Sequence, residues 1–438
     1  MRAIILTLTA SLMAGAAFAQ ATPPAAQAET VVIQNARLYT MAGANGGLIE
    51  NADVVMQGGV VTAVGQDLAV PAGARAVDAN GRIVTPGLFA PWSQIGLVEL
   101  GLDDESNDAS PKEGYSNSAS LDAVDAFNPG STLIPINRAG GVTRAVSAPE
   151  PGSKIFGGLG AIVDLSGRAG SVTRARALQS AAMGYAGAAR NGDTRLGAWA
   201  EFRDAIEEAR AYAANPAAYA LRPRMTGLSL NDLEALAPAV RGAQPLVVAA
   251  NGVNDLRTLI KAKTQYGLNI IALGGTEAHL VARELAAAQI PVILNPFLNL
   301  PSQFEDLAAT QANAARLNAA GVVIGFYDPP SGTHNLRLLP QLAGNAVANG
   351  LPYAAALAAL TINPARMYGV ADRHGSVEIG KAADLVIWDG DPLETSTRPV
   401  AVYIDGRATS LVTRQTRLRD RYRDLSRGDL PHAYRGAQ

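Results

Sequence analysis

Cysteine is absent from the 438 residues, and histidine occurs only as His279, His334, His374 and His432. The first absence excludes disulfides and thiolate metal sites. It also removes one covalent nucleophile, and no Gly-x-Ser-x-Gly elbow supplies another. The scarcity of imidazole restricts any metal centre severely. Charge of one sign is lacking too. The formal net charge is −2, so no large field is available for nucleic acid or an anionic membrane. The Gly-rich "PEPGSKIFGGLG", Pro149 to Gly160, lacks the Gly-Lys-Ser/Thr ending of a phosphate loop and reads as a plain loop. The acidic run with Asp103, Asp104, Glu105 and Asp108 has no EF-hand spacing and reads as solvated.

Apolar runs of membrane length are missing as well. Ile4 to Phe18 comes nearest, but it is short, follows Arg2 and ends in Ala17-Phe18-Ala19. Residues 1–19 therefore read as a signal peptide cleaved before Gln20, which in a bacterium implies the periplasm and no membrane association after cleavage. The small, Pro-containing stretch 20–30 reads as a linker.

About half of the residues are apolar, enough for a large globular core. Short β patterns come first, within residues 31–86. They include a strand "TVVIQNARLYT", a hairpin around Gly58-Gly59 and a second strand pair around Asn80-Gly81. From residue 87 the pattern alternates strand with helix. "GVTRAVSAP", "GAIVDLSG", "PLVVAANG", "LNIIALGG", "IPVILNP" and "GVVIGFYDP" read as strands, and the last four recur with a helix-length segment between each pair. "LGAWAEFRDAIEEARAYAAN", "SLNDLEALAPAVRG" and "EAHLVARELAAAQ" read as helices. No Gly-x-Gly-x-x-Gly follows the first strand, so continuous βα repetition over residues 87–370 favours an α/β (β/α)8 barrel over an open sheet. Residues 371–412 return to β, with "GSVEIGKAADLVIWDGDPL" and "PVAVYIDGRATSLV" as strands, and would complete a composite sandwich with residues 31–86. Residues 413–438 form a tail mixing Arg with Asp, read as a solvated helix or an arm along a neighbouring surface.

Two segments, "GRIVTPGLFAPWSQIGL" and "ALTINPARMYGVADRHGSVEIGKAADLVIWDGDPL", resemble the amidohydrolase superfamily, in particular its imidazolonepropionase-like exported members. The resemblance spans nearly the whole mature chain. It implies a TIM-like barrel flanked by a composite β-sandwich, hydrolysis of non-peptide carbon–nitrogen bonds, and zinc or another divalent metal. The family's first barrel strand ends in Asp-x-His-x-His, and the matching positions here are Ala90, Trp92 and Gln94. An indole offers only an N–H donor, and an amide oxygen is a weak neutral ligand. The histidine expected after strand five meets Ala249 or Asn251, and the one after strand six meets Gly274. The catalytic aspartate after strand eight is matched by Asp328.

The resemblance thus carries over one catalytic candidate, Asp328, and no metal ligands or cofactor. Trp92, Gln94, Asn251, Glu277 and His334 are candidates for contacting a small-molecule ligand or substrate at the barrel mouth. Asp328, His334 and Glu277 are also the groups from which a metal site could be rebuilt. His279 reads as a capping residue, His374 as part of a turn and His432 as solvated. Two function classes stay open: a C–N hydrolase that is metal-free and weak or inactive, and a silent barrel that binds a small ligand. A homo-oligomer, or pairing with an active relative, fits either.

Overall fold

The computed structural model describes residues 29–101, 103–111, 118–219, 226–328 and 335–423. The signal-peptide reading of residues 1–19, His334 and His432 lie outside the described residues.

Five strands open the described chain: β1 (Val31–Tyr39), β2 (Leu48–Gln57), β3 (Val60–Gly65), β4 (Arg75–Asp78) and β5 (Ile83–Pro86). Gly58 and Gly59, both with positive φ, turn β2 into β3 as a hairpin. The pair expected around Asn80-Gly81 is not a hairpin. β4 and β5 lie one after the other along β1, each parallel to it. The left-handed Asn80 and Gly81 make a step in the chain, while Val77 and Val84 find better cover against β1 than against each other.

The C-terminal strands β14 (Leu385–Trp388), β15 (Pro399–Ile404) and β16 (Arg407–Ala408) join the same sheet. β14 pairs antiparallel with β5, with Leu385 opposite Pro86 and Ile387 opposite Val84. The stretch around Ser376–Val377, expected as strand, is outside any strand. The sheet rolls back on itself: the Val61 N–H donates to Lys381 O at 2.9 Å and Ala383 N–H to Gly59 O at 3.0 Å. Its core holds Ile33, Leu38, Val54, Met56, Leu385 and Tyr403. The composite β layer is therefore one curled eight-stranded sheet built from both ends of the chain.

The second sheet also has eight strands: β6 (Leu88–Ala90), β7 (Val142–Ser147), β8 (Phe156–Asp164), β9 (Val172–Ala182), β10 (Leu246–Ala250), β11 (Ile270–Gly274), β12 (Val292–Leu294) and β13 (Ile324–Phe326). They follow one another in chain order around a nearly closed barrel with helices outside, an α/β fold. Three features differ from the sequence reading. β8 runs antiparallel to both β7 and β9, so the βα alternation is interrupted there. It begins at Phe156, which places the Gly-rich "FGGLG" inside a fully buried strand. Gly160 shows why: a Cβ there would lie 2.9 Å from the Ala148 side chain. β9 was not anticipated at all.

The helices behave as their patterns suggest. Arg195–Ala214 is capped by the Thr194 hydroxyl and buries Trp199, Phe202 and Ile206. Leu230–Val240 starts with a reciprocal capping box between Ser229 and Asp232. "EAHLVARELAAAQ" divides into a 3-10 turn, Ala278–Val281, and a short helix, Ala282–Ala287. Arg414–Tyr422 is helical with no buried residue, as a solvated tail helix requires.

The barrel interior is apolar, filled by Phe89, Val146, Leu178, Val247, Ile271 and Ile293. Tyr368 closes it below, stacked on Phe89 and donating its hydroxyl to Pro91 O at 2.6 Å. The two sheets are joined by Arg144 of β7. Its Nε donates to Asp384 at 2.7 Å and its Nη2 to Asp405 at 2.6 Å, with Arg144 and Asp384 both buried. Burial alone would raise the Asp384 carboxyl, but the Arg144 charge and the nearby His374 ring hold it well below the usual carboxylate range.

Candidate functional site at the barrel mouth

Parallel barrel strands deliver their following residues to one end, and a cavity of about 210 Å³ lies at that end. Its walls come from four regions. Trp92, Ser93 and Gln94 follow β6, Glu150 and Pro151 follow β7, and Ser180 to Ala182 close β9. Tyr327 and Asp328 follow β13, Ala249 and Leu273 cover the floor from β10 and β11, and Ala186 and Arg190 add the rim.

β6 ends at Ala90, so Trp92 and Gln94 lie beyond the strand. They line the cavity together from the bend that follows. Ser93 fixes that bend by donating to Val146 O at 2.6 Å. Trp92 is 8% exposed and packs with the barrel interior. Asp328 reaches the cavity beside Tyr327, so three of the sequence-selected residues converge.

Asn251 and Glu277 are drawn elsewhere. Asn251 Nδ2 donates to Glu305 Oε1 at 3.1 Å, and its Oδ1 accepts from the Thr276 hydroxyl at 3.2 Å. Glu277 accepts from the backbone N–H groups of Val253 and Ala308, at 3.1 Å each. Both residues tie loops together beside the cavity. His279 sits on the 3-10 turn after β11. Burial and the Arg316 charge lower its proton affinity, against the pull of Glu277. His374 lies below the barrel, 3.7 Å from Asp384.

The sequence reading missed Glu150, Arg190 and Tyr327. Glu150 lies three residues past β7, at the functional end of a barrel strand, and that position was the available signal. Burial raises its carboxyl above the usual range, while the Arg190 charge pulls it down. Arg190 itself donates to the carbonyls of Gly152, Ala186 and Pro151, so its guanidinium knits the rim while its charge faces Glu150. Tyr327 is held as a neutral phenol by burial and by the charges of Glu150, Asp306 and Asp328.

Beside the cavity lies a second polar cluster that the sequence did not reveal. Arg195 donates to Asp255 and Glu305, at 3.0 Å each, and the Trp199 indole donates to Asp255 at 3.0 Å. Asp255 and Glu305 are buried, and Asn251 hangs from Glu305. This cluster determines the fate of the strand-six position. Gly274 has φ +95°, and a Cβ there would stand 2.2 Å from Asn251 Oδ1. The place where the family has a histidine is thus occupied by a carboxamide.

These residues do not fit a divalent metal centre. A catalytic zinc site uses about three protein ligands and an open position. The positions facing the cavity carry Trp92, Gln94, Ala249 and Asp328. Among the described residues, no three His, Asp or Glu side chains gather closely enough to hold an ion. The arrangement can instead shelter a small molecule, with an indole wall and amide, carboxyl, hydroxyl and phenol groups for hydrogen bonds.

Residues 251–412 match the model of the amidohydrolase family. The chain is 28% identical over 393 residues to the amidohydrolase tasK of Hapsidospora irregularis, covering 81% of this chain and 39% of that protein. It thus spans about two fifths of that relative's length. It is 29% identical over 392 residues to the imidazolonepropionase of Sphingopyxis alaskensis, covering 82% of this chain and 92% of that one. The crystal structure of an amidohydrolase from Thermotoga maritima superposes with a TM-score of 0.75 at 27% identity, over 87% of this chain and 99% of the other. The family match falls on the part of the chain that carries Asn251, Asp328 and β14, and the structural match extends over most of the chain. The family model, the imidazolonepropionase relative and the amidohydrolase structure together support an imidazolonepropionase-like member of the amidohydrolase superfamily.

Proposed function

We propose that this chain descends from hydrolases of carbon–nitrogen bonds other than peptide bonds, and is metal-free and catalytically weak or inactive. Its barrel mouth holds a small neutral ligand. One observation carries the reading: the cavity is faced by Trp92, Gln94 and Ala249, with Asn251 filling the space beside Gly274. A bound metal lowers the pKa of its water from 15.7 to about 7. Among the described residues that line the cavity Arg190 alone is cationic, and its guanidinium is held on the rim by three backbone carbonyls with its charge toward Glu150. Asp328 stands beside a neutral phenol, and burial pushes the Glu150 carboxyl toward its neutral, hydrogen-donating form. Donors and acceptors around an indole suit an amide or a lactam.

Protein purified without chelator should contain well under one equivalent of zinc, manganese or iron by elemental analysis. Stoichiometric metal that is lost in Asp328→Asn would revive a metal-dependent hydrolase. So would turnover of a cyclic amide or dipeptide by the wild type that Asp328→Asn abolishes.

A second measurement addresses binding. Cyclic amides and dipeptides are screened for a thermal shift of the wild type and of Trp92→Ala. A ligand that raises the wild-type melting temperature should leave the variant's unchanged. If Trp92 is only a plug for the barrel, Trp92→Ala destabilises by about 3–5 kcal/mol and no ligand shifts the wild type. That outcome would end the ligand-binding reading.

A further inference from the structure

A second cavity, of about 590 Å³, lies at the opposite end of the barrel, where the curled sheet meets it. Its size falls in the range of small-molecule sites, about 300–1,000 Å³. Its walls are the β2–β3 turn at Gly58-Gly59, Arg144 of β7, Arg174 of β9, and the segment after Tyr368 that carries Asp372, Arg373 and His374. Asp405 completes them from just beyond β15. None of these groups borders the mouth cavity.

Three of these side chains hold unused hydrogen-bonding capacity. Arg174 Nη1 donates to Tyr368 O at 2.9 Å and to Gly369 O at 3.3 Å. Those bonds fix the guanidinium beside the cavity and leave its Nε and Nη2 unbonded among the described residues. Arg373 has no side-chain hydrogen bond or ion pair among the described residues. His374 is 9% exposed, and its Nδ1 is sealed 3.7 Å from Asp384 without a hydrogen-bond partner. The other edge of the ring therefore faces the cavity that it lines. A buried imidazole without a partner is uncommon, because such groups are ordinarily satisfied within the chain or by what binds beside them.

We propose that this seam is a binding site for a small organic molecule carrying one oxyanion, a carboxylate or a phosphate. The charge balance selects that ligand. Arg144 is already engaged by Asp384 and Asp405, and Arg168 stands 3.7 Å from Asp405, so those four charges offset one another. Arg174 and Arg373 are then opposed in the wall only by Asp372, which leaves a surplus of positive charge. Guanidinium forks match the geometry of a carboxylate or phosphate and form the stronger, charge-assisted class of hydrogen bond. Arg174 belongs to the barrel and Arg373 to the segment returning to the curled sheet. One oxyanion held by both bridges the two layers that Arg144 already joins.

Isothermal titration calorimetry of the full chain with inorganic phosphate and, separately, with acetate tests this, the ionic strength being held constant with sodium chloride. At least one of the two should bind at a single site with a dissociation constant of about 10 mM or tighter, as two charge-assisted hydrogen bonds support. Binding of phosphate alone assigns the site to phosphorylated ligands, and binding of acetate alone assigns it to carboxylates. Arg373→Glu, which breaks no bond within the described chain, should leave the ligand-free thermal melt unchanged and weaken binding about tenfold or more. Arg174→Gln should weaken it by a similar factor, and Gln94→Ala, at the mouth, should bind as the wild type does. No binding of either anion up to about 50 mM overturns the proposal, since an affinity that weak is below what two guanidinium contacts give. Binding that Arg373→Glu retains, or that Gln94→Ala loses, overturns it by placing the anion elsewhere.

Discussion

Arg144→Met is expected to destabilise the fold by about 3–5 kcal/mol, because it leaves a buried carboxylate without its counter-charge. Arg144 is 3% and Asp384 7% exposed in their side chains, and the guanidinium holds both Asp384 and Asp405. The Asp405 N–H also donates to Asp384 Oδ1, at 2.9 Å, but one amide cannot replace a full charge. The pH dependence identifies the cause. In the wild type the Asp384 carboxyl lies below its unfolded value of about 3.9, so its contribution is fully present above that pH and is lost as pH falls through the folded value. In the variant, burial dominates and raises the same carboxyl. The deficit should then be greatest near neutrality and shrink as pH falls toward about 4, because the variant's folded carboxyl takes up its proton before the unfolded one does. Urea unfolding of both proteins between pH 4 and 8 checks this. A constant deficit across that range would mean that lost packing, rather than the charge, is responsible. The pair Arg144→Met/Asp384→Leu should recover much of the loss, as replacement of a whole buried ion pair by apolar groups commonly does.

Gly274→His is expected to cost on the order of 3 kcal/mol and to bring no metal with it. Two terms add. At φ +95° a side chain strains the backbone, and its Cβ falls 2.2 Å from Asn251 Oδ1. Relief requires Asn251 to leave Glu305 and Thr276, which strands buried hydrogen-bonding groups. A triple variant with Trp92→His, Gln94→His and Gly274→His should therefore be less stable than the wild type and hold far less than one zinc per chain. Adding Asn251→Ala removes the obstruction and should restore part of the stability. Thermal unfolding and elemental analysis of the three proteins decide the matter. An unaltered melt together with stoichiometric zinc in the triple variant would show that the mouth still carries a latent metal site.

How far the sequence reached is clearest where its readings met the tertiary structure. β10 to β13 were legible because each is a short apolar run bounded by turn residues, buried on both faces. β9 was not. Its first half, with Arg174 and Arg176, is exposed, and its second half is small and mixed, so it carries neither alternation nor a hydrophobic run. Arg176 is even left-handed, at φ +50°. Only pairing with β8 and β10 makes this segment a strand. The reversal of β8 was equally hidden, because a strand pattern carries no direction.

The residue types at the mouth were determined by the sequence alone. Trp92, Gln94, Ala249, Gly274 and Asp328 stand where the family pattern places its ligands and acid, and chemistry follows from side-chain type wherever those positions point. Which of the candidates meet was decided by tertiary structure. Trp92, Gln94 and Asp328 share a cavity because β6 and β13 end at the same rim, and Glu150 joins them from β7. Asn251 and Glu277 leave it because buried amides and carboxylates go to the nearest donors and acceptors, here Glu305, Thr276 and two backbone N–H groups. Those partners are between 24 and 54 residues away along the chain. Local pattern registers what a residue is and which way its own element turns it. Contacts at that separation depend on how whole elements pack, and only the folded barrel contains that information.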